Sequence, residues 1–130
     1  MTQQDINEIQ LAKGAIAAGL ETLMAATQTE PDQIKEVIVA GAFGSYLNLD
    51  SALAIGLLPR LPKARYIQVG NAAGVGAKMA LLSRQERQRA IKLAARTGYV
   101  ELTMFLGFNR RFALSMLFPQ EEKSNERKNS

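Results

Sequence analysis

Apolar positions in the first part of the chain return to one helical face. Ile6, Ile9, Ile16, Leu20 and Leu23 recur at helical spacings, which predicts a long helix running to about Thr27, capped by Thr2 or Asp5. Lys13 falls on the same stripe. Ala12, Gly14, Ala15, Ala17, Ala18 and Gly19 make this helix thin, and each interior glycine costs roughly 0.5–1 kcal/mol relative to alanine. Another element is therefore predicted to approach it closely. After the linker "TEPDQ" the period changes: "EVIVA" is continuously apolar, the pattern of a strand buried on both faces.

That first strand enters a glycine turn, "GAFGSYLN". "LDSALAIGLLP" then predicts a short helix, capped by Asp50 or Ser51 and closed by Gly56 and Pro59. "RYIQV" reads as a second strand, and "GNAAGVGAKMALL" carries it through a small-residue turn into a helix. Ser83 with Glu86 starts another helix that ends near Arg96. "YVEL" reads as a third strand and "FNRRFALSMLF" as a last amphipathic helix ended by Pro119. Strands alternating with helices in this way predict an α/β fold with a small sheet flanked by helices. The boundaries are one domain over 1–118 and a polar, frayed tail over 119–130.

Composition narrows the chemistry. With 47% hydrophobic and 22% charged residues the body is an ordinary globule, and 130 residues suit one core. The formal charge of +4 is mild and its basic residues are scattered, with few aromatics, so nucleic acid is not an expected partner. No cysteine and no histidine are present, which removes thiol nucleophiles, cysteine-held iron–sulfur clusters, the usual zinc ligands and imidazole chemistry. No apolar run approaches the roughly 20 residues a bilayer requires, and "MTQQDINE" is no signal peptide, so no membrane association and a cytoplasmic location are expected.

Both glycine turns follow predicted strands, at the carboxyl edge where open α/β sheets bind ligands. Glycine there lets a phosphate meet exposed N–H groups, or a flat ring lie on the peptide plane. Turn-forming or packing glycines explain the same letters, and both readings stay open at this point. "GNAAGVG" is a loose dinucleotide match with no acid-bearing strand after it, and no P-loop pattern occurs. Lys13 has two readings: a side chain that snorkels to water, or a cation beside a nucleotide. Phe43 and Tyr46 read as core residues or as walls of a ligand site. No paired-carboxylate site stands out.

The order of four blocks carries a family resemblance. "DINEIQLAKGAI", "VIVAGAFGSYLNLDSALAIGLLP", "VGNAAGVGAKMALLSRQER" and "YVELTMFLGFNRRFALSMLFP" together resemble the C-terminal part of the ATP-dependent reductive activators of corrinoid proteins, from Thr2 to Pro119. The resemblance implies one lobe of an actin-like (ribonuclease H-like) ATPase, with nucleotide held between two lobes. It implies Gly41, Ala42, Phe43 and Gly44 around the adenosine, Lys13 as the basic residue toward adenine or ribose, and Asn71 and Gly74 on the ligand or interlobe side. The implied cofactor is ATP or ADP with magnesium, shared with an N-terminal ATPase lobe. An iron–sulfur cluster is implied only in a separate ferredoxin-like domain.

The implied activity is ATP-driven reduction of cobalt(II) to cobalt(I) in a corrinoid methyl-transfer protein. The partners are that corrinoid protein, the N-terminal lobe and the ferredoxin-like domain, with a homodimer as a further association. A chain that starts directly before a helix fits a truncated or split form, not catalytic alone. The alternative is an interaction or dimerisation module of the same fold that binds no nucleotide.

Overall fold

A computed structural model describes residues 2–119, with the side chain of Phe43 excepted. The predicted tail from 120 onward lies outside the described residues. Helix α1 spans Gln3–Thr27. Its start is written locally: Thr2 Oγ1 accepts from the Asp5 amide at 3.2 Å, and Asp5 Oδ2 accepts from the Thr2 amide at 2.6 Å. This reciprocal box satisfies donors that a helix start leaves free. Strand β1, Glu36–Val39, is followed by the short helices α2, Ala42–Tyr46, and α3, Leu49–Ala54. Strand β2 is Arg65–Gln68, after which come α4, Ala72–Leu82, α5, Arg84–Arg96, and α6, Phe108–Ser115.

β1 and β2 form a two-stranded parallel sheet in which Glu36 pairs with Arg65 and Val39 with Gln68. The α2–α3 segment is the crossover a parallel pair requires. Gln68 Nε2 donates to the Leu47 carbonyl at 2.7 Å, and the Tyr66 hydroxyl donates to Pro59 O while accepting from the Leu61 amide. These bonds fix the crossover onto β2.

α6 packs along α1. The contact uses the small residues of α1, because Lys13, Gly14, Ala18, Gly19 and Thr22 are its buried positions. A Cβ at Gly14 would lie 2.9 Å from Met116 Cγ, and one at Gly19 would lie 3.5 Å from Leu102 Cδ1. The predicted close approach is thus to the segment 102–116. The large apolar stripe is another matter, since Ile9 and Leu23 remain exposed. Close packing selects the thin side of the helix.

Four expectations change. "YVEL" forms no strand: the chain runs through it without regular structure into a 3₁₀ turn at Leu102–Met104, where Leu102 packs near Gly19. Strand propensity alone does not make a strand, and this segment pairs with neither β1 nor β2. β1 is not buried on both faces, because Ile38 is 60% exposed, with no described element covering it. The cap of α3 is Asn48, whose Oδ1 accepts from the Ser51 amide at 2.8 Å, in place of Asp50 or Ser51. The last helix stops at Ser115, before the predicted Pro119.

Ser83 ends α4 and caps α5, its Oγ accepting from the Glu86 amide at 3.3 Å. These two helices pack chiefly on each other and bury no residue fully. Among the described residues the buried hydrophobic side chains are Ala18, Ala52, Leu58 and Leu61.

Candidate functional site

The parallel arrangement brings the two predicted glycine turns to one edge. The Gly41 amide donates to the Gly70 carbonyl at 2.9 Å, and the Ala72 amide donates to the same oxygen at 2.7 Å. One carbonyl thereby joins the turn after β1 to the start of α4. Gly70, the first glycine after the second strand, marks that turn in the sequence but was not among the expected contact residues. Ala40, Gly41, Ala42, Gly70, Asn71 and Ala72 are all exposed, so this carboxyl edge is an open ledge.

The two glycines of "GAFG" serve opposite ends. Gly41 has φ +74°, the left-handed region that disfavours side chains, and a Cβ there would meet no atom within 4 Å. Its bare side faces open space that a ligand can occupy. Gly44 is buried, and a Cβ there would lie 2.6 Å from the Val39 carbonyl oxygen and closer still to that of Val69. It seats α2 against the ends of both strands, so its missing side chain makes room for backbone rather than for a ligand.

Asn71 caps α4, its Oδ1 accepting from the Gly74 amide at 2.9 Å. A Cβ on Gly74 would fall 2.5 Å from Asn71 Nδ2, so the pair forms one packed unit at the helix start. Ala42 begins α2, and the Phe43 backbone follows it in the same turn.

Lys13 departs from the first of its predicted readings. It is 1% exposed, so its ammonium does not snorkel to water. Nζ donates to the carbonyls of Ser115 and Leu117, the latter at 2.7 Å, and lies 5.4 Å from the centre of the Phe118 ring. Carbonyls at a helix end are natural acceptors for a cation. Burial pushes the Lys13 ammonium pKa down. Its polar atoms are thus engaged by the end of α6, while Gly41, Ala42, Gly44, Asn71 and Gly74 gather at the strand edge.

Two concave regions lie away from this ledge. One, of about 550 Å³, separates α4 from α5 and is lined by Met79, Ala90 and Leu93 with Arg89, Lys92 and Arg96 at its rim. The other, of about 350 Å³, runs between α1 and β1. Among the described residues no group of His, Cys, Asp or Glu can hold a metal ion, and no helix is long and apolar enough to cross a membrane.

The geometry fits one side of a nucleotide site: an open left-handed glycine, adjacent exposed backbone and a helix start. Among the described residues nothing forms an opposing wall. Comparison with known proteins agrees with the architecture. The family described as the C-terminal domain of RACo, the ASKHA domain, matches residues 1–129. The corrinoid activation enzyme RamQ of Eubacterium limosum is 33% identical over 118 residues, covering 91% of this chain and 20% of that protein. A solved structure of a reductive activator for corrinoid, iron–sulfur protein superposes with a TM-score of 0.80 at 37% identity, covering 92% of this chain and 19% of that one. The chain spans about a fifth of the length of these relatives. By sequence and by fold, it belongs to the family of RACo C-terminal ASKHA domains.

Proposed function

We propose that this chain is the adenosine-binding portion of an ATP-dependent reductive activator of a corrinoid protein. The observation that carries the reading is the Gly41 turn: a left-handed glycine whose bare side opens to solvent, on the strand edge of a domain from a reductive-activator family. The backbone of Gly41, Ala42 and Phe43 forms the floor for adenosine. Asn71 and Gly74 shape the neighbouring helix start. Gly44 acts by holding α2 close, and Lys13 acts by fixing α6 behind the site, since its ammonium is already bonded.

Because the ledge has one wall, the nucleotide and its magnesium ion are shared with a second ATPase lobe. When bound, ATP supplies the free energy for an unfavourable one-electron transfer. The electron passes from a cluster-bearing ferredoxin-like domain to cobalt(II), giving cobalt(I), and the corrinoid protein is the docking partner. This chain has no cysteine to hold that cluster, so its own contribution is binding and positioning.

The test is calorimetric titration of magnesium ADP into a chimera in which this chain replaces the matching segment of the solved reductive activator. Binding that weakens about tenfold or more in Gly41→Val, an effect of roughly 1.4 kcal/mol, is the expected result. The extensive exposed apolar surface favours a second reading, an interaction module without nucleotide. Absence of heat at millimolar ADP in the folded chimera would select it.

A further inference from the structure

The net charge of the chain is unevenly placed. Residues 72–96, which form the α4–α5 hairpin, hold six basic residues and a single acid, Glu86, whereas the remainder of the sequence holds ten basic and eleven acidic residues. The hairpin therefore carries the positive excess of the whole chain. Between its helices runs the groove of about 550 Å³. Met79, Ala90 and Leu93 give it an apolar lining, and Arg89, Lys92 and Arg96, three and four residues apart, follow α5 along it in one row. Glu86 is already paired with Arg89 at 3.0 Å, and Lys92 and Arg96 form no ion pair among the described residues. The opening between the helices is set from within, by the Ser83 cap and by Arg87 Nε, which donates to the Ala80 carbonyl at 3.0 Å. Leu81, Leu82 and Ile91 do not line it.

Gly76, on the α4 wall of the groove, is a second and independent observation. Inside a helix glycine is less favourable than alanine. Here the missing side chain relieves no crowding, because a Cβ would meet no atom within 4 Å. Gly14 and Gly44 make room for Met116 and for the strand ends, whereas Gly76 keeps room for a neighbour that the described residues do not supply.

We propose that the α4–α5 groove docks an acidic amphipathic helix of a second protein, its apolar face on Met79, Ala90 and Leu93 and its carboxylates against Arg89, Lys92 and Arg96. A helix suits the groove because α4 and α5 bond their own backbone groups and offer no strand edge, so recognition runs through side chains. The hairpin has no aromatic ring on which a nucleic-acid base could stack. Its apolar floor is recessed between helices, whereas a membrane surface is met by an apolar face that projects. A second copy of the hairpin would bring like charge to like. The proposal goes beyond the nucleotide reading and is independent of it.

Fluorescence anisotropy tests it, with the chain and with the chimera. The probe is a labelled helical peptide with leucines at i, i+4 and i+7 and glutamates on both flanks, and its twin carries lysines in place of the glutamates. Saturable binding of the acidic peptide, at least about tenfold tighter than that of its twin and weaker as salt rises, is the expected result. Joint Lys92→Glu and Arg96→Glu reversal should weaken it by about tenfold or more, while Lys35→Glu, off the hairpin, should leave it unchanged. Gly76→Leu fills the groove without altering charge, and should cost a similar factor at an unchanged or raised thermal midpoint. Binding that survives Gly76→Leu would reduce the interaction to charge alone and overturn the proposal. So would absence of saturable binding, a chimera in which the groove is closed to the peptide, or tighter binding to phosphatidylglycerol vesicles or single-stranded RNA than to the peptide.

Discussion

A methyl group added at Gly44 has nowhere to go, since the atoms it meets are backbone carbonyls of two strands. Gly44→Ala should cost about 3 kcal/mol or more in urea unfolding. Gly41→Ala, three residues earlier, meets open space and pays only the left-handed penalty of about 1–2 kcal/mol. The same two letters in "GAFG" thus carry different constraints, and the sequence could mark the turn without separating them. Lys13 was harder to read, because its acceptors lie 102 and 104 positions away. Lys13→Met leaves two carbonyls unsatisfied and should lower stability by about 2 kcal/mol. Asp5 titrates with a definite sign. Hydrogen bonds from the Thr2 amide and hydroxyl lower its pKa in the folded chain. The stabilisation is thus present above the ordinary carboxylate pKa and is lost as pH falls through the folded value. Amide exchange in the first turn of α1 should rise over that acid range, and Asp5→Asn should flatten the dependence.

Among elements, the pairing of α1 with α6 offers the clearest contrast. Gly14→Ala drives a methyl into Met116, within 3.3 Å of its backbone nitrogen, and should loosen α6. Gly19→Ala meets Leu102 at ordinary contact distance and gains helix propensity, so a change between neutral and about 1 kcal/mol of stabilisation is expected. Thermal unfolding of the two variants should move in opposite directions. The starts of α1 and α5 were legible because their signals are local: Thr2 with Asp5 for α1 and Ser83 with Glu86 for α5. Strand status was not, because it depends on a neighbour. "EVIV" and "RYIQ" find each other, whereas "YVEL" pairs with neither and runs into a turn against α1.

At the scale of the whole chain, apolar surface exceeds what the fold covers. Val75, Leu81, Leu82, Ile91 and Leu93 on α4 and α5 are all more than half exposed. Burying even a few hundred Å² of such surface, at about 25 cal/mol per Å², is large beside the net stability of a domain. The chain alone should bind the dye ANS strongly and show a sedimentation mass above its 14.2 kDa monomer as concentration rises. Both signals should fall when the rest of an activator is supplied. The open ledge was legible as a strand edge with glycines, but its single wall shows only in three dimensions. Lys13 adds a consequence for the far end of the chain, since one of its two acceptors, Leu117, comes after α6 has finished. Proteolytic trimming after Met116 would spare every residue of that helix and still withdraw half of the cation's coordination, so a nick outside α6 should weaken it much as Lys13→Met does.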